Sequence, residues 1–467
     1  MHVKSDVRTG GTTASHQARC TGMGVTRYYA DYAWLGGDRV AGRVLLEVDG
    51  DRIAAVRAGV DRPADAVHLA GVTLPGMANA HSHAFHRALR GRTHRGGGTF
   101  WTWREDMYRV AERLTPDSYY ALARALYAEM ALAGISCVGE FHYLHHGPGG
   151  RAYHDRNAMG EALIAAAQAA GIRITLLDAC YLAGGVGAPL QGAQLRFGDG
   201  DADGWSSRAS ELRPAPHARV GAAIHSVRAV PPPAIQVVAD WSRERHAPLH
   251  FHLSEQRAEN DACLAAYGRT PARLLAEHQA LGPRSSAVHA THLTADDIAT
   301  LSGSATTICM TPTTERDLAD GIGPARDLAR AGCALALGSD SNAVVDLIEE
   351  ARAVELDERL RTERRGHWSA SELLGAATAA GHASLGWADA GRLAAGALAD
   401  FVTIGLGSVR LSGAEPATML EHVVFAASAA DVRDVVVGGR QIVAEHRHAL
   451  LDDVPAALDA AIKAVTL

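Results

Sequence analysis

The sequence predicts an α/β protein built on a closed parallel barrel, with a small β domain assembled from both ends of the chain. Three observations carry this. Short apolar runs recur about eight times through the middle of the chain, most of them followed by a helical stretch. β-rich segments flank that middle on both sides. Imidazoles and carboxylates stand just past several of the runs. Strands alternating with helices argue for parallel strands joined by crossovers, and about eight of them argue for closure rather than an open sheet.

Residues 1–22 are rich in Ser, Thr, Gly, Arg and His and lack apolar periodicity. They are expected to be an unstructured extension, because a secretory signal would need an apolar central stretch. Residues 43–56 read as two strands around Asp49-Gly50, a hairpin signal. At the far end, residues 400–405 are a strand candidate and residues 434–443 a second hairpin around Gly438-Gly439. The small β domain is therefore assigned to residues 23–74 together with 388–450, the barrel to 75–387, and a C-terminal helix to 451–467. The apolar runs lie at 72–74, 135–141, 172–177, 220–224, 249–253, 287–289, 307–310 and 334–337. Helical stretches at 118–133, 158–170 and 258–281 lie between them, and another at 344–360 follows the last. Two segments, 90–103 and 184–207, read as long loops of the kind that often cover or line a site.

Composition narrows the function. Hydrophobic residues make up 47% of the 467 and charged residues 21%, ordinary globular usage that excludes a fibrous or wholly disordered chain. A net charge of −7 gives no basic footprint for nucleic acid or an anionic membrane. No apolar run approaches the roughly 20 residues needed to span a bilayer. Lysine occurs only at Lys4 and Lys463, so a Schiff-base or P-loop lysine is not expected. The six cysteines are scattered with no Cys-x-x-Cys pair, consistent with small core side chains and a reducing cytoplasm.

Chemistry concentrates at strand ends, where a barrel places its active site. His81 and His83 follow a Pro-Gly turn two residues apart, so on a strand both imidazoles face one side. His250 and His252 repeat the spacing, with Glu255 close behind. The sixth run ends in His289-Ala290-Thr291-His292 and the eighth in Gly338-Ser339-Asp340-Ser341-Asn342. Ligand-type groups at the ends of strands one, five, six and eight suit a mononuclear divalent metal site with an open position for water.

On these stretches the chain resembles the amidohydrolase superfamily. With Glu140-Phe141-His142-Tyr143-Leu144-His145-His146 and His225-Ser226-Val227-Arg228-Ala229-Val230 added, it resembles more narrowly the formimidoylglutamate deiminases of histidine degradation. The resemblance runs over residues 25–450. It implies a distorted (β/α)8 barrel of the amidohydrolase type, with the small domain a β-sandwich. It implies His81, His83, His252 and Asp340 as ligands of one zinc ion, with Fe2+ or another divalent ion as alternatives. Glu255, His289 and Asp340 are then catalytic, and His86, Arg104, Tyr143, His225 and Arg228 bind substrate. His250 falls to the barrel wall and His292 to helix entry or support. His86 stands where many members carry Gln. Residues 313–318 lie at another strand end, where a polar pocket residue is plausible.

The implied reaction is metal-dependent hydrolysis of N-formimidoyl-L-glutamate to N-formyl-L-glutamate and ammonia. A bound cation makes water nucleophilic near neutral pH, Asp340 takes a proton, His289 stabilises the tetrahedral centre, and Glu255 protonates the departing nitrogen. A substrate with two carboxylates calls for arginines in its pocket. The principal rival is a deaminase of the same superfamily acting on a purine, pyrimidine or pterin ring; the low aromatic content, 5%, weighs against it. The base rate for soluble oligomers suggests a homodimer.

Overall fold

The computed structural model describes residues 24–94 and 98–466. The extension at 1–22 and residues 95–97 of the 90–103 segment lie outside the described residues.

Eight parallel strands form the barrel in chain order: Met77–Ser82, Ile135–His142, Arg173–Cys180, Ala218–Ile224, Leu249–Leu253, Ser285–His289, Thr307–Met310 and Leu335–Leu337. The eighth closes on the first through a parallel bridge between Ser82 and Asp340. Nearly every residue of these strands is buried, as expected where helices cover the outside and side chains fill the inside. Of the eight apolar runs, the first is not a barrel strand. Residues 72–74 belong to Val67–Pro75, which pairs with Phe401–Ile404 and Thr26–Ala33 outside the barrel. The barrel begins one strand later, after Gly76, with the segment that carries the His-x-His.

The termini build a second, mixed sheet of eight strands. Hydrogen bonds run unbroken through all eight, so the small domain is one continuous sheet that curls onto its own core. Tyr28, Leu46, Ile53, Leu69 and Phe401 fill that core, with Tyr28 and Phe401 edge to face at 5.1 Å. The curl brings the two hairpin turns together. A side chain at Gly439 would lie 2.4 Å from the carbonyl oxygen of Gly50, so only glycine allows the approach.

A buried ion pair ties the sheet to the barrel. Arg173, on the third barrel strand, forks onto Asp400 at 2.6 and 3.1 Å, and Arg219 stacks on Trp387 4.2 Å from the ring centre. The stretch at 258–281 is two helices, Arg257–Tyr267 and Pro271–Glu277, because Gly268 takes a left-handed conformation and Pro271 starts a new helix. The loop at 184–207 is partly helical too, over Gly192–Arg196 and Ala202–Ala209. The chain closes with the helix Val454–Thr466. No helix among the described residues is long and apolar enough to cross a membrane.

Candidate metal centre and substrate cavity

The strand-end residues converge. Metal-binding atoms of His81, His83, His252 and Asp340 lie within 4.8 Å of one another, and all four residues are buried. His83 and His252 are oriented from behind. Nδ1 of His83 donates to the Phe141 carbonyl at 2.9 Å, and Nδ1 of His252 donates to the His225 carbonyl at 2.7 Å. A carbonyl only accepts, so Nε2 of each ring is left as a bare lone pair. Those two nitrogens stand 3.3 Å apart, His81 Nε2 is 3.2 Å from His252 Nε2, and Asp340 Oδ1 is 3.3 and 3.4 Å from His81 and His83. Lone pairs aimed at one another repel unless a cation lies among them. Three imidazoles and one carboxylate are a donor set that fits zinc or a similar divalent ion. The ring of Phe141 packs against His81, His83 and His252 at 5.1, 5.4 and 4.4 Å and fixes their planes.

Burial keeps these imidazoles neutral, the form that binds metal. It pushes His81 down to about 3, with His83 lowering it further and Asp340 opposing, and it depresses His83 and His252 as well. Burial pushes Asp340 up, but its hydrogen bond from His81 and the neighbouring His289 and His83 hold it below the ordinary carboxylate range. His289 differs. Burial lowers it, but Glu255, Glu315 and Asp340 around it raise it to about 10. Its Nε2 lies 3.9 Å from both Glu255 Oε1 and Asp340 Oδ2. Ser254, His289, Ala290, Asp340 and Asn342 all take positive φ. Such backbone is costly for residues other than glycine and here lies at the rim that carries the site.

Above the ligands opens a cavity of about 360 Å³. His86, Arg104, Tyr143, His225, Arg228, Glu255 and His289 all line it. His86 and Tyr143 share a hydrogen bond at 2.8 Å, and Nδ1 of His86 has no partner. Arg104 donates to Tyr108 at 2.6 Å. Arg228 stands between two acids, 3.4 Å from Glu255 and 3.4 Å from Glu259. His86 and Trp103 also line a second cavity of about 430 Å³ on their far side.

Some expectations change and others stand. The cavity wall is more aromatic than the composition suggested, with Trp103, Tyr108, Tyr143, Tyr181 and Phe197. His250 pairs with the Ser384 carbonyl at 3.0 Å, away from the metal cluster. His292 accepts a hydrogen bond from Asn260 through its backbone carbonyl and is absent from the cavity wall. His448 is buried and bonded to the Ala170 carbonyl at 3.1 Å. His142, His145 and Asp178 form a second group of ligand type, but the Arg208 guanidinium already holds Asp178 at 2.8 and 2.9 Å. Within the loop at 184–207, Gly184, Gly185, Val186 and Phe197 line the cavity. The sequence did not single out Asn79, Asn342 or Thr311. Asn79 bonds both Oγ and N–H of Ser339, at 2.7 and 2.9 Å, and Asn342 donates to the His83 carbonyl at 3.0 Å. Both stand inside stretches that carry ligands, which was the available signal.

Comparison with known proteins agrees with this geometry. Residues 72–442 match the model of the amidohydrolase family. Formimidoylglutamate deiminase from Pseudomonas aeruginosa is 38% identical over 426 residues, covering 88% of this chain and 93% of that protein. A 5-methylthioadenosine/S-adenosylhomocysteine deaminase from Natronomonas pharaonis is 29% identical, covering 88% and 90%. The crystal structure of an amidohydrolase from Brucella melitensis superposes with a TM-score of 0.88 at 33% identity, covering 95% of this chain and all of that one. An adenosine deaminase from Xanthomonas campestris with bound zinc shares the fold, with a TM-score of 0.82 at 23% identity over 94% and 97% of the two chains. The fold, the converging ligand set and these likenesses together place the chain in the amidohydrolase family.

Proposed function

We propose that this chain, a hydrolytic deaminase of the amidohydrolase family, acts on N-formimidoyl-L-glutamate and releases N-formyl-L-glutamate and ammonia. The observation that carries the substrate is the pair of arginines, Arg104 and Arg228, lining one cavity with the His and Asp cluster. A dicarboxylate stripped of water needs charged donors to replace its hydration. The likeness to the Pseudomonas aeruginosa deiminase points the same way.

His81, His83, His252 and Asp340 would hold one Zn2+ per chain. Such an ion supplies an activated water at neutral pH and polarises the carbon under attack. Arg228 and Arg104 orient the carboxylates, and Tyr143, His86 and His225 complete the polar wall. A C–O bond forms at the formimidoyl carbon and the C–N bond to the terminal nitrogen breaks. Asp340 accepts a proton from the attacking water through the carboxylate oxygen nearer His289. His289 faces the developing tetrahedral centre with Nε2. Glu255, across the cavity from Asp340, delivers the proton that lets the nitrogen depart as ammonia. We take the enzyme to be cytoplasmic and a homodimer, the latter checked by light scattering on the eluting protein.

A second reading rests on the aromatic wall. Tyr108, Tyr143, Tyr181, Phe197 and Trp103 would equally flank a ring, and the Natronomonas pharaonis relative is named for action on methylthioadenosine and S-adenosylhomocysteine. Ammonia release from N-formimidoyl-L-glutamate, set beside 5′-methylthioadenosine, adenosine and guanine, decides between them. Turnover of the first alone supports the dicarboxylate; turnover of a ring substrate alone overturns it.

A further inference from the structure

The seventh barrel strand supplies no metal ligand, yet the residues just after it close on His289 from behind. Nδ1 of His289 lies 2.9 Å from Oγ1 of Thr311. Thr311 Oγ1 lies 3.3 Å from Glu315 Oε1, which also takes the Thr311 N–H at 3.2 Å. All three residues are buried.

The protons along this chain have one consistent arrangement. Oε1 of Glu315 accepts the Thr311 N–H, so it is an acceptor oxygen, and the single hydroxyl proton of Thr311 goes to it. The hydroxyl then presents only lone pairs to His289, so Nδ1 must carry a hydrogen and donate. With Nδ1 committed, Nε2 is the nitrogen presented to Glu255 and Asp340 across the cavity. Thr311 precedes the short helix Pro312–Asp317, and Glu315 is four residues on, so one turn of chain delivers both groups. Residues 313–318 thus have a part in the site, through Glu315 and from behind His289.

We propose that Thr311 and Glu315 are positioning residues that fix His289 in its Nδ1–H form, with Nε2 directed at the reacting centre. This rests on the place given to His289 above, but it does not depend on which amidine or ring is hydrolysed. Second partners of this kind orient an imidazole and set its tautomer, and removing them typically costs about 10–100-fold in activity.

Three variants test it. Thr311→Val keeps the shape and removes the hydroxyl. It should lower kcat for ammonia release about 10–100-fold with KM within about threefold and zinc content unchanged. Thr311→Ser, which restores the hydroxyl, should recover most of that loss. Glu315→Leu should resemble Thr311→Val. Nitrogen NMR of 15N-histidine-labelled, zinc-loaded protein reads the tautomer without substrate, the His289 signals being those absent from His289→Asn. At a pH high enough for the ring to have given up its second proton, the wild type should show the remaining hydrogen on Nδ1, and Thr311→Val should lose that preference. A wild-type His289 with hydrogen on Nε2 alone would overturn the proposal, as would a Thr311→Val protein with undiminished kcat. Should the wild type release ammonia only from a ring substrate, the substrate reading fails, and the same variants and spectra judge the positioning on that substrate.

Discussion

Asp340 is bound to His81 twice over: its backbone N–H donates to the His81 carbonyl at 2.9 Å, and its carboxylate stands 3.3 Å from His81 Nε2. In the other direction the His83 N–H donates to the Asp340 carbonyl at 3.0 Å. Closing the barrel and assembling the ligand cluster are therefore one structural event.

Gly338 is the residue that permits it. A Cβ there would meet the Cβ, carbonyl oxygen and nitrogen of His81 at 2.8 to 2.9 Å. Gly338→Ala should push the eighth strand off the first, costing about 1–3 kcal/mol as overpacking usually does. Thermal denaturation would show the loss, and competition with a zinc-binding dye would show weaker metal affinity.

Removal of the metal should abolish catalysis and leave a folded protein. We expect about one zinc per chain by elemental analysis, loss of ammonia release after dialysis against a chelator, and recovery on adding Zn2+. His252→Ala should bind the ion too weakly to be restored this way. A chelator-treated, metal-free protein with full activity would contradict the assignment.

Arg228→Ala should act on substrate affinity. Loss of a charge-assisted contact to a carboxylate should raise KM for N-formimidoyl-L-glutamate roughly 10–100-fold. It also strands Glu259, which is buried with Arg228 as its cation, so the melting temperature should fall as well. Arg104→Ala offers a contrast, because Arg104 is partly exposed and donates to the Tyr108 hydroxyl at 2.6 Å. Steady-state kinetics with calorimetry separate the two.

A pH-dependent contribution to stability should come from the terminal sheet. Burial pushes the Asp431 carboxyl up, but the Arg410 fork at 2.8 Å and the neighbouring Ser408 and Ser428 more than reverse this, holding it at about 2. Its ordinary value is 3.8. A depressed carboxyl stabilises the fold above the unfolded value, and that contribution fades as pH falls toward the folded one. Urea denaturation should therefore show Asp431→Asn less stable than wild type at pH 6, the gap narrowing between about pH 4 and pH 2.

How much of this the sequence revealed depends on the range of each interaction. The meeting of His81 and His83 was legible because a two-residue spacing on a strand puts both imidazoles on one face, a purely local rule. The same rule pairs His250 with His252, yet His250 turns to the Ser384 carbonyl, and it was the resemblance that picked out His252 and Asp340. The barrel was legible from alternation, except at its start. There, residues 72–74 look like any buried strand, and only pairing with Phe401–Ile404, over 300 residues away, assigns them elsewhere. Asn79 and Ser339 are 260 residues apart and meet only because the barrel closes. The aromatic wall was missed because composition counts rings without placing them. The break at Gly268 and Pro271 carried a local signal that a long apolar-periodic stretch obscured.

His86 and Trp103 line both cavities, so their side chains stand where the two adjoin. The far limit of the pocket is thus set by removable groups rather than by backbone. Trimming either side chain should therefore lengthen the space open at this end while the barrel strands and the His and Asp cluster stay as they are.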